Sequence, residues 1–271
     1  MSAVVVGVDG SDSSARAAEW AAEEAERRHA PLHVVIANDD PMRADHAEEA
    51  VRRTANRCRA DHLGLAVTSE VGTGRPVEVL VRQSAEAQLV VLGARGLGGF
   101  TGALLGAVSL GVATRAACPV VVVRKDVPAT SGPVVVGVDG SEHSRVALEF
   151  AFDAAARFGA DLVAFQAWHE ESLLYAPLAP SFRDEVEGKI RRSLTEATAD
   201  LRDKHPDVVV HEVVQRGHPV AGLTDAARDA RLLVVGNRGM GGFRGLFLGS
   251  VAAGALHHAQ CPVAVVRNAD S

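Results

Sequence analysis

The chain has 271 residues, 47% of them hydrophobic, and a formal net charge of -6. An acidic chain without a concentrated basic face is not expected to bind nucleic acid. No apolar run approaches the ~20 residues of a membrane helix, and the chain opens on an apolar strand without a basic leader, so a cytoplasmic globular protein is expected.

The chain is an internal duplication. Residues 4–11, VVVGVDGS, recur as residues 134–141, an offset of 130 positions. Each copy predicts a buried strand that ends in Asp-Gly-Ser, where Ser11 or Ser141 caps the following helix.

The second copy of that helix carries a clear apolar pattern. Val146, Phe150, Ala154 and Phe158 recur every four residues and predict its buried stripe, and Gly159 is expected to end it.

The next elements alternate between strand and helix in both halves. Each third strand is followed by Gly-x-Pro-Val, whose proline suits the first turn of a helix. The predicted ranges are 32–37 and 162–167 for the second strands, 43–62 and 182–205 for the second helices, and 65–71 and 208–214 for the third strands.

An insertion separates the two copies. The offset grows from 130 (Asp9 to Asp139) to 143 (Gly74 to Gly217), so 13 residues were added around 168–177. This segment holds Trp168 and the only tyrosine, and its aromatics either form a lid or contact surface or pack on the neighbouring helix. Both interpretations stay open.

A glycine-rich loop follows each fourth strand. In the second half it runs from Gly236-x-x-Gly239 to Gly249-Ser250 and also contains glycines 241, 242 and 245; in the first half it runs from Gly93 to Ala107. Helices are predicted over 108–117 and 251–259. Glycine lets backbone N–H groups approach an anion, and the helix adds its positive end. The pattern is neither a Walker loop nor G-x-G-x-x-G. It predicts a phosphate cradle, with a flexible connector as the alternative.

Each half closes with Cys-Pro and a valine-rich strand, over 120–124 and 263–267. Cys118, Cys261 and the third cysteine, Cys58, are interpreted as buried small hydrophobes rather than as a disulfide or a metal site.

Strands alternating with helices predict an α/β fold of two tandem Rossmann-like domains, each a five-stranded parallel sheet with helices on both faces. The expected boundaries are residues 1–126 for domain 1, 127–132 for a linker and 133–271 for domain 2. In such sheets ligands bind at the carboxyl ends of the strands. In each half the strand-end aspartate and the glycine loop are expected to lie at that edge.

The opening VGVDGS, the Gly-x-x-Gly-x9-Gly-Ser loop and the closing Cys-Pro-Val strand resemble the universal stress protein family in its tandem, ATP-binding form. The resemblance covers about residues 3–125 and 133–267. It implies an adenine nucleotide alpha hydrolase-like fold that binds ATP with Mg²⁺, and pairing of domains through the last strand. A homodimer is also expected. The resemblance further implies regulation of stress adaptation or growth arrest, through a protein partner that the sequence does not name, without efficient turnover.

The resemblance also implies site residues. Asp9 and Asp139 match the acid near the ribose and a water-mediated Mg²⁺, and the backbones of Ala37 and Ala167 match the position that reads adenine. The ATP-binding set is Gly7, Asp9, Ala37, Gly93, Arg95, Gly96, Gly106, Ala107, Val108 and Ser109 in domain 1, and Gly137, Asp139, Ala167, Gly236, Arg238, Gly239, Gly249, Ser250 and Val251 in domain 2.

Domain 1 departs from the pattern at Ala107, where a hydroxyl residue is expected. Loss of one hydrogen bond to phosphate costs about 1.5–3 kcal/mol, roughly ten- to hundredfold in affinity. Site 1 is therefore expected to be weaker, unless Ser109 or water replaces the hydroxyl.

The function that follows is a nucleotide-gated regulator. The alternatives are a slow ATP-hydrolysing or adenylyl-transfer enzyme, a nucleotide-free interaction scaffold and, disfavoured for want of a redox partner site, a flavin-binding electron carrier. No catalytic residue is assigned, because the glycine loops contain no Asp, Glu, His, Cys or Lys. His257 and His258 lie about two turns beyond Ser250 and are expected at the surface or an interface.

Overall fold

The structure is a computed structural model that describes residues 2–96, 105–124, 131–168, 180–240 and 248–268. It divides into two compact units, one of residues 1–128 with 262–271 and one of residues 129–261. The predicted domain boundaries at 126 and 133 stay predictions. Glycines 241, 242 and 245 and Tyr175 lie outside the described residues.

The described residues form strands and helices in alternation. In chain order they are β1 Val4–Val8, α1 Asp12–Arg27, β2 Leu32–Asn38, a 3-10 turn Pro41–Arg43, α2 Ala44–Asp61, β3 Val67–Thr73, α3 Pro76–Ser84, β4 Leu89–Gly93, α4 Ala107–Arg115, β5 Val120–Val123, β6 Val134–Gly137, α5 Glu142–Phe158, β7 Leu162–Trp168, α6 Pro180–Lys204, β8 Val210–Arg216, α7 Pro219–Ala226, β9 Leu232–Gly236, α8 Ser250–His258 and β10 Val263–Val266.

In the first unit the strand order is β3-β2-β1-β4-β5, all parallel, and β10 adds to β5 in the antiparallel sense. In the second unit the order is β9-β6-β7-β8, again parallel. The central strands β1 and β4 are buried at every position, as expected of parallel strands covered on both faces. The Rossmann-like α/β prediction is confirmed.

Both predicted helix caps are confirmed. The hydroxyl of Ser11 accepts a hydrogen bond from the backbone N–H of Ser14 at 3.2 Å, and Ser141 does the same for Ser144 at 3.2 Å. Gly159 ends α5 in the left-handed conformation, with φ 59°.

The predicted stripe on α5 is wrong. The buried face is formed by Ala147, Leu148, Ala151, Phe152, Ala154 and Ala155, whereas Val146, Phe150 and Phe158 are half-buried. A strict period of four drifts round a helix of 3.6 residues per turn, so only one of the four predicted positions stays on the core side.

Two strand boundaries and one aromatic also differ from expectation. Strands β3 and β8 begin two residues later than predicted, because the backbone N–H groups of Leu65 and Val208 close turns onto His62 and His205. Trp168 is the last residue of β7 and is buried rather than part of a loop.

The three cysteines lie within the described residues and form no disulfide with one another; Cys58 and Cys261 are buried and Cys118 is half-buried. Burial raises the pKa of the Cys118 thiol to about 12 and also raises that of Cys58. The thiols of Cys58 and Cys118 are therefore protonated at neutral pH. Within the described ranges, no helix is long and apolar enough to cross a membrane.

Candidate functional site

The candidate site of each unit lies where neighbouring parallel strands end. In the second unit β6 lies between β7 and β9, and in the first unit β1 lies between β2 and β4. The carboxyl ends of parallel strands share one edge, and the crossover connections change direction there, which leaves a crevice. The strand-end aspartates and the glycine loops meet at this edge.

Asp139 joins the end of β6 to the second glycine loop. Its Oδ1 accepts a hydrogen bond from the N–H of Ser141 at 3.0 Å, and its Oδ2 accepts one from the N–H of Met240 at 2.9 Å. Burial alone would raise the pKa of this carboxyl, but the hydrogen bonds from Ser141, Met240 and Ser144 hold it below its usual value. Asp139 is therefore ionised at neutral pH.

Glycine is required where the loop passes this carboxylate. A Cβ on Gly239 would collide with Oδ2 of Asp139, and a Cβ on Gly96 would collide with Oδ2 of Asp9. Asp9 repeats the local turn as well, since its Oδ1 accepts from the N–H of Ser11 at 3.0 Å. The two halves thus place an acid against the same glycine of the loop.

The two ends of each glycine loop are joined by a backbone hydrogen bond. The N–H of Gly249 donates to the carbonyl of Asn237 at 2.7 Å, and that of Gly106 donates to Ala94 at 2.7 Å. A Cβ on Gly249 would stand 3.2 Å from Cα of Arg238, so the chain segments are in close contact. The helix that follows, α4 or α8, therefore begins directly beside the end of the fourth strand.

Gly93 and Gly236 pack against the first turn of α1 and α5. A Cβ on Gly93 would stand 2.6 Å from the hydroxyl of Ser13, and one on Gly236 would stand 2.8 Å from the carbonyl of His143. These glycines bring the loop onto the helix that begins after the strand-end aspartate. Both helix N-termini thus lie at the crevice.

The position after the last glycine differs between the halves. Ser250 and Ala107 are both exposed at the first residue of α8 and α4. Ser109 is buried, and its hydroxyl donates to the carbonyl of Gly93 at 2.7 Å. This proton is not free for a phosphate, which argues against Ser109 as a replacement for the missing hydroxyl.

Ala37 and Ala167 lie near the ends of β2 and β7, opposite Gly72 and Gln215 in register. Beside Ala167 a cavity of about 340 Å³ opens between the strand ends and α7. Its lining residues are Phe165, Ala167, Gln215, Gly217, His218, Ala221, Gly222 and Asp225.

At the corresponding place in the first unit a valine side chain stands where the second unit has a glycine. Gly222 corresponds to Val79, which is buried and lies so close to Gly72 that a Cβ there would stand 2.5 Å from Cγ1 of Val79. The two halves therefore differ beside the alanine as well as at the glycine loop.

The remaining predicted residues fall into two groups. Gly7 and Gly137 are packing positions, since a Cβ on them would stand 2.5 Å from Leu92 and 3.1 Å from Leu223. The others lie at the loop: Arg95 and Arg238 beside its first turn, and Val108 and Val251 in the first turns of α4 and α8. His257 and His258 form the last turn of α8, away from its N-terminus.

Two polar residues at the second loop, Asn237 and His143, were not predicted. Asn237 is 1% exposed, and neither atom of its carboxamide has a hydrogen-bond partner among the described residues. The Nδ1 of His143 is likewise buried and without a partner there. A comparison of the halves could have found them, because Ala94 and Ser13 occupy the matching positions.

The residues fit a nucleotide with Mg²⁺ only if the nucleotide supplies part of the coordination. Among the described residues no group of three or more His, Cys, Asp or Glu could hold a metal. Mg²⁺ is commonly held by one or two carboxylates together with phosphates and water. The ionised carboxylate of Asp139 beside the glycine loop, with Asp9 as its counterpart, fits that donor set.

Comparison with known proteins agrees with the fold. The model of the universal stress protein family matches residues 1–124 and again residues 131–267. A universal stress protein of Mycolicibacterium smegmatis is 36% identical over 97% of this chain and 96% of its own length. The crystal structure of a universal stress protein from Archaeoglobus fulgidus superposes with a TM-score of 0.70 at 22% identity, covering 98% of each chain.

A further universal stress protein, solved in complex with cAMP, is 31% identical and covers 50% of this chain and 95% of its own, with a TM-score of 0.38. The family model and the M. smegmatis relative both extend over nearly the whole sequence, and the model matches it twice. The chain therefore belongs to the universal stress protein family, in its tandem form.

Proposed function

We propose that the chain binds ATP with Mg²⁺ in the crevice of each half and acts as a nucleotide-dependent regulator of stress adaptation or growth arrest. The observation that carries the proposal is the contact between Asp139 and the second glycine loop, made through the N–H of Met240 at 2.9 Å. An ionised acid, closely approaching glycines and a helix N-terminus are the parts that a Mg²⁺-phosphate group requires.

Bound Mg²⁺ would offset phosphate charge in the crevice. Asp139, or Asp9 in the first half, would hold it through water. The backbone N–H groups at the start of α8, the hydroxyl of Ser250 and the side chain of Arg238 would bind phosphate oxygens. In the first half Ala107 removes the hydroxyl, so that site would bind phosphate less tightly.

Regulation is favoured over turnover by the residue types at the loop. Between Gly236 and Gly249, and between Gly93 and Gly106, the sequence has no Asp, Glu, His, Cys or Lys that could serve as a general base or activate a nucleophile. A nucleotide that is bound but not consumed changes which surface the loop presents. We include in this proposal a cytoplasmic location, a homodimer and a regulatory protein partner.

The test is calorimetric titration of the full chain with Mg-ATP, alongside Gly239→Asp. The new carboxylate would collide with Asp139 and repel phosphate, so loss of one binding event is expected. Gly188→Asp is the matched control, because a Cβ at that α6 position would stand 3.8 Å from its nearest neighbour, Arg192.

A phosphate-release assay on the same samples separates regulation from catalysis. We expect no turnover beyond a few ATP per hour. Rapid hydrolysis that Gly239→Asp abolishes would favour the enzyme alternative, whereas no binding of Mg-ATP would leave the interaction scaffold.

A further inference from the structure

The two glycine loops differ in how their polar side chains are used. At three matched positions the first half has Ser13, Ala94 and Ser109, and the second half has His143, Asn237 and Ala252. Each loop is closed by the same backbone hydrogen bond, from Gly106 to Ala94 or from Gly249 to Asn237. The matched positions therefore share this feature of the backbone and differ in their side chains.

In the first half these polar side chains are bonded within the protein. Ser109 donates to the carbonyl of Gly93 at 2.7 Å, and the hydroxyl of Ser13 accepts from the N–H of Arg95 at 3.4 Å. Ala94, at the base of the loop, is 4% exposed and offers no polar atom.

In the second half the corresponding polar side chains have no protein partner among the residues that the structure describes. Both carboxamide atoms of Asn237 and the Nδ1 of His143 are buried and unpaired, and so is the Nε of Arg238. Buried polar groups are nearly always hydrogen-bonded in folded proteins, since leaving them unpaired destabilises the fold. Several such atoms at one loop are therefore open to a partner beyond the described residues, such as a bound ligand.

Asn237 and His143 belong to the loop and helix that Asp139 joins by its hydrogen bonds to Met240 and Ser141. The carbonyl of Asn237 accepts from Gly249, directly before the nine-residue helix α8. The backbone of His143 packs on Gly236, the first glycine of the same loop. The two residues that carry the unpaired atoms are thus anchored next to the N-termini of α8 and α5.

We propose that Asn237 and His143 contact the ligand in the second half and make its crevice the higher-affinity nucleotide site of the chain. This inference rests on the proposed function. The carboxamide can donate to a phosphate or ribose oxygen and accept from a ribose hydroxyl, and an imidazole nitrogen can donate to phosphate. Ser13 and Ala94 give the first half neither group.

The test is titration of the full chain with Mg-ATP, using Asn237→Ala and His143→Ser. Each variant installs the residue that the first half carries at the matched position, so the backbone is known to accept it. Gly96→Asp identifies the first-half event, because its carboxylate would collide with Asp9. We expect a tight and a weak binding event, with the tight one weakened about ten- to hundredfold in both variants and the weak one unchanged.

A second readout distinguishes ligand contact from a structural role. Without nucleotide, Asn237→Ala should melt at or above the wild-type temperature, because the lost amide has no partner among the residues that the structure describes. With Mg-ATP, the variant should show a smaller rise in melting temperature than the wild type.

Three results would overturn the inference: equal affinities at the two sites of the wild type, a tight event that is lost in Gly96→Asp, or a tight event unchanged within twofold in both variants. Absence of any binding in the wild type would refute the proposed function itself. Failure of the inference alone and failure of the function are therefore distinguishable.

Discussion

Asp139 is the residue at which strand, helix and glycine loop meet. It accepts hydrogen bonds from one N–H in the turn before α5 and from one N–H in the loop after β9. An asparagine at this position would have an NH₂ group in place of one carboxylate oxygen. That group is a donor, so it could not accept a hydrogen bond from the backbone N–H that faces it. The carboxylate therefore holds together segments about a hundred residues apart.

We predict that Asp139→Asn lowers the free energy of unfolding by about 1–3 kcal/mol at pH 7, the cost of leaving a part-buried donor unpaired. Urea denaturation monitored by circular dichroism measures it. Asp207→Asn, an exposed change in the turn before β8, is the control and should be nearly neutral.

The stabilising effect of the Asp139 carboxylate should depend on pH. The folded-state pKa of Asp139 lies below its unfolded value, so its contribution is present above the unfolded pKa of about 3.9 and is lost as pH falls through the folded value. The difference in the free energy of unfolding between wild type and Asp139→Asn should therefore become smaller below about pH 4. A difference that grows on acidification would contradict this account.

At the scale of single elements, α5 is the helix that carries the site. Its N-cap, Ser141, follows Asp139 by two residues, so one turn fixes both the helix start and the carboxylate. Its C-terminus is fixed by Gly159 in the left-handed region.

We expect Ser141→Ala to destabilise the second half by about 1 kcal/mol through loss of the N-cap bond to Ser144. Because the cap adjoins Asp139, Mg-ATP affinity should also fall. The control Ser141→Thr keeps the hydroxyl and should retain both the stability and the Mg-ATP affinity of the wild type. The measurements are thermal unfolding and titration on the same preparation. Equal stability of Ser141→Ala and wild type would show that water caps the helix as well as serine does.

Single elements also show how far the sequence could be interpreted. The repeat of VVVGVDGS and the alternation of apolar strands with helices predicted the succession of the ten strands along the chain, but not their order in the sheets. The sequence could not show that turns onto His62 and His205 delay β3 and β8, since such bonds depend on local backbone geometry. It also misplaced the buried face of α5, because a period of four imitates a helix stripe over short lengths.

The site was predictable in outline only. Glycines beside a strand-end acid pointed to the crevice, and their close contact with Asp9 and Asp139 agrees. Burial and missing partners are properties of the packed chain, so the sequence marked Asn237 and His143 only as differences between the halves, where Ala94 and Ser13 occupy the matching positions. For the same reason the hydrogen bond from the hydroxyl of Ser109 to the carbonyl of Gly93 could not be predicted from the sequence.

At the scale of the whole molecule, the first compact unit takes its sixth strand from the end of the chain. Strand β10 pairs with β5 in the antiparallel sense, with Val263 opposite Val122 and Val265 opposite Val120. A free β5 edge of four buried valines would be a template for pairing with another chain.

We therefore predict that a fragment of residues 1–128 associates through β5, giving a dimer in light scattering at micromolar concentration. A peptide of residues 261–268 supplies β10 and should shift the fragment towards a monomer. A fragment that is monomeric without the peptide would show that this edge needs no partner strand.

The central claim is that the duplicated fold holds adenine nucleotide. The most direct measurement is the nucleotide released when the purified full chain is denatured and the small molecules are separated by chromatography, for wild type and Gly239→Asp. We expect ATP in the wild type at between one and two molecules per chain, with the second-half share lost in the folded variant. No nucleotide in the wild type, together with no uptake of added Mg-ATP, would contradict the account.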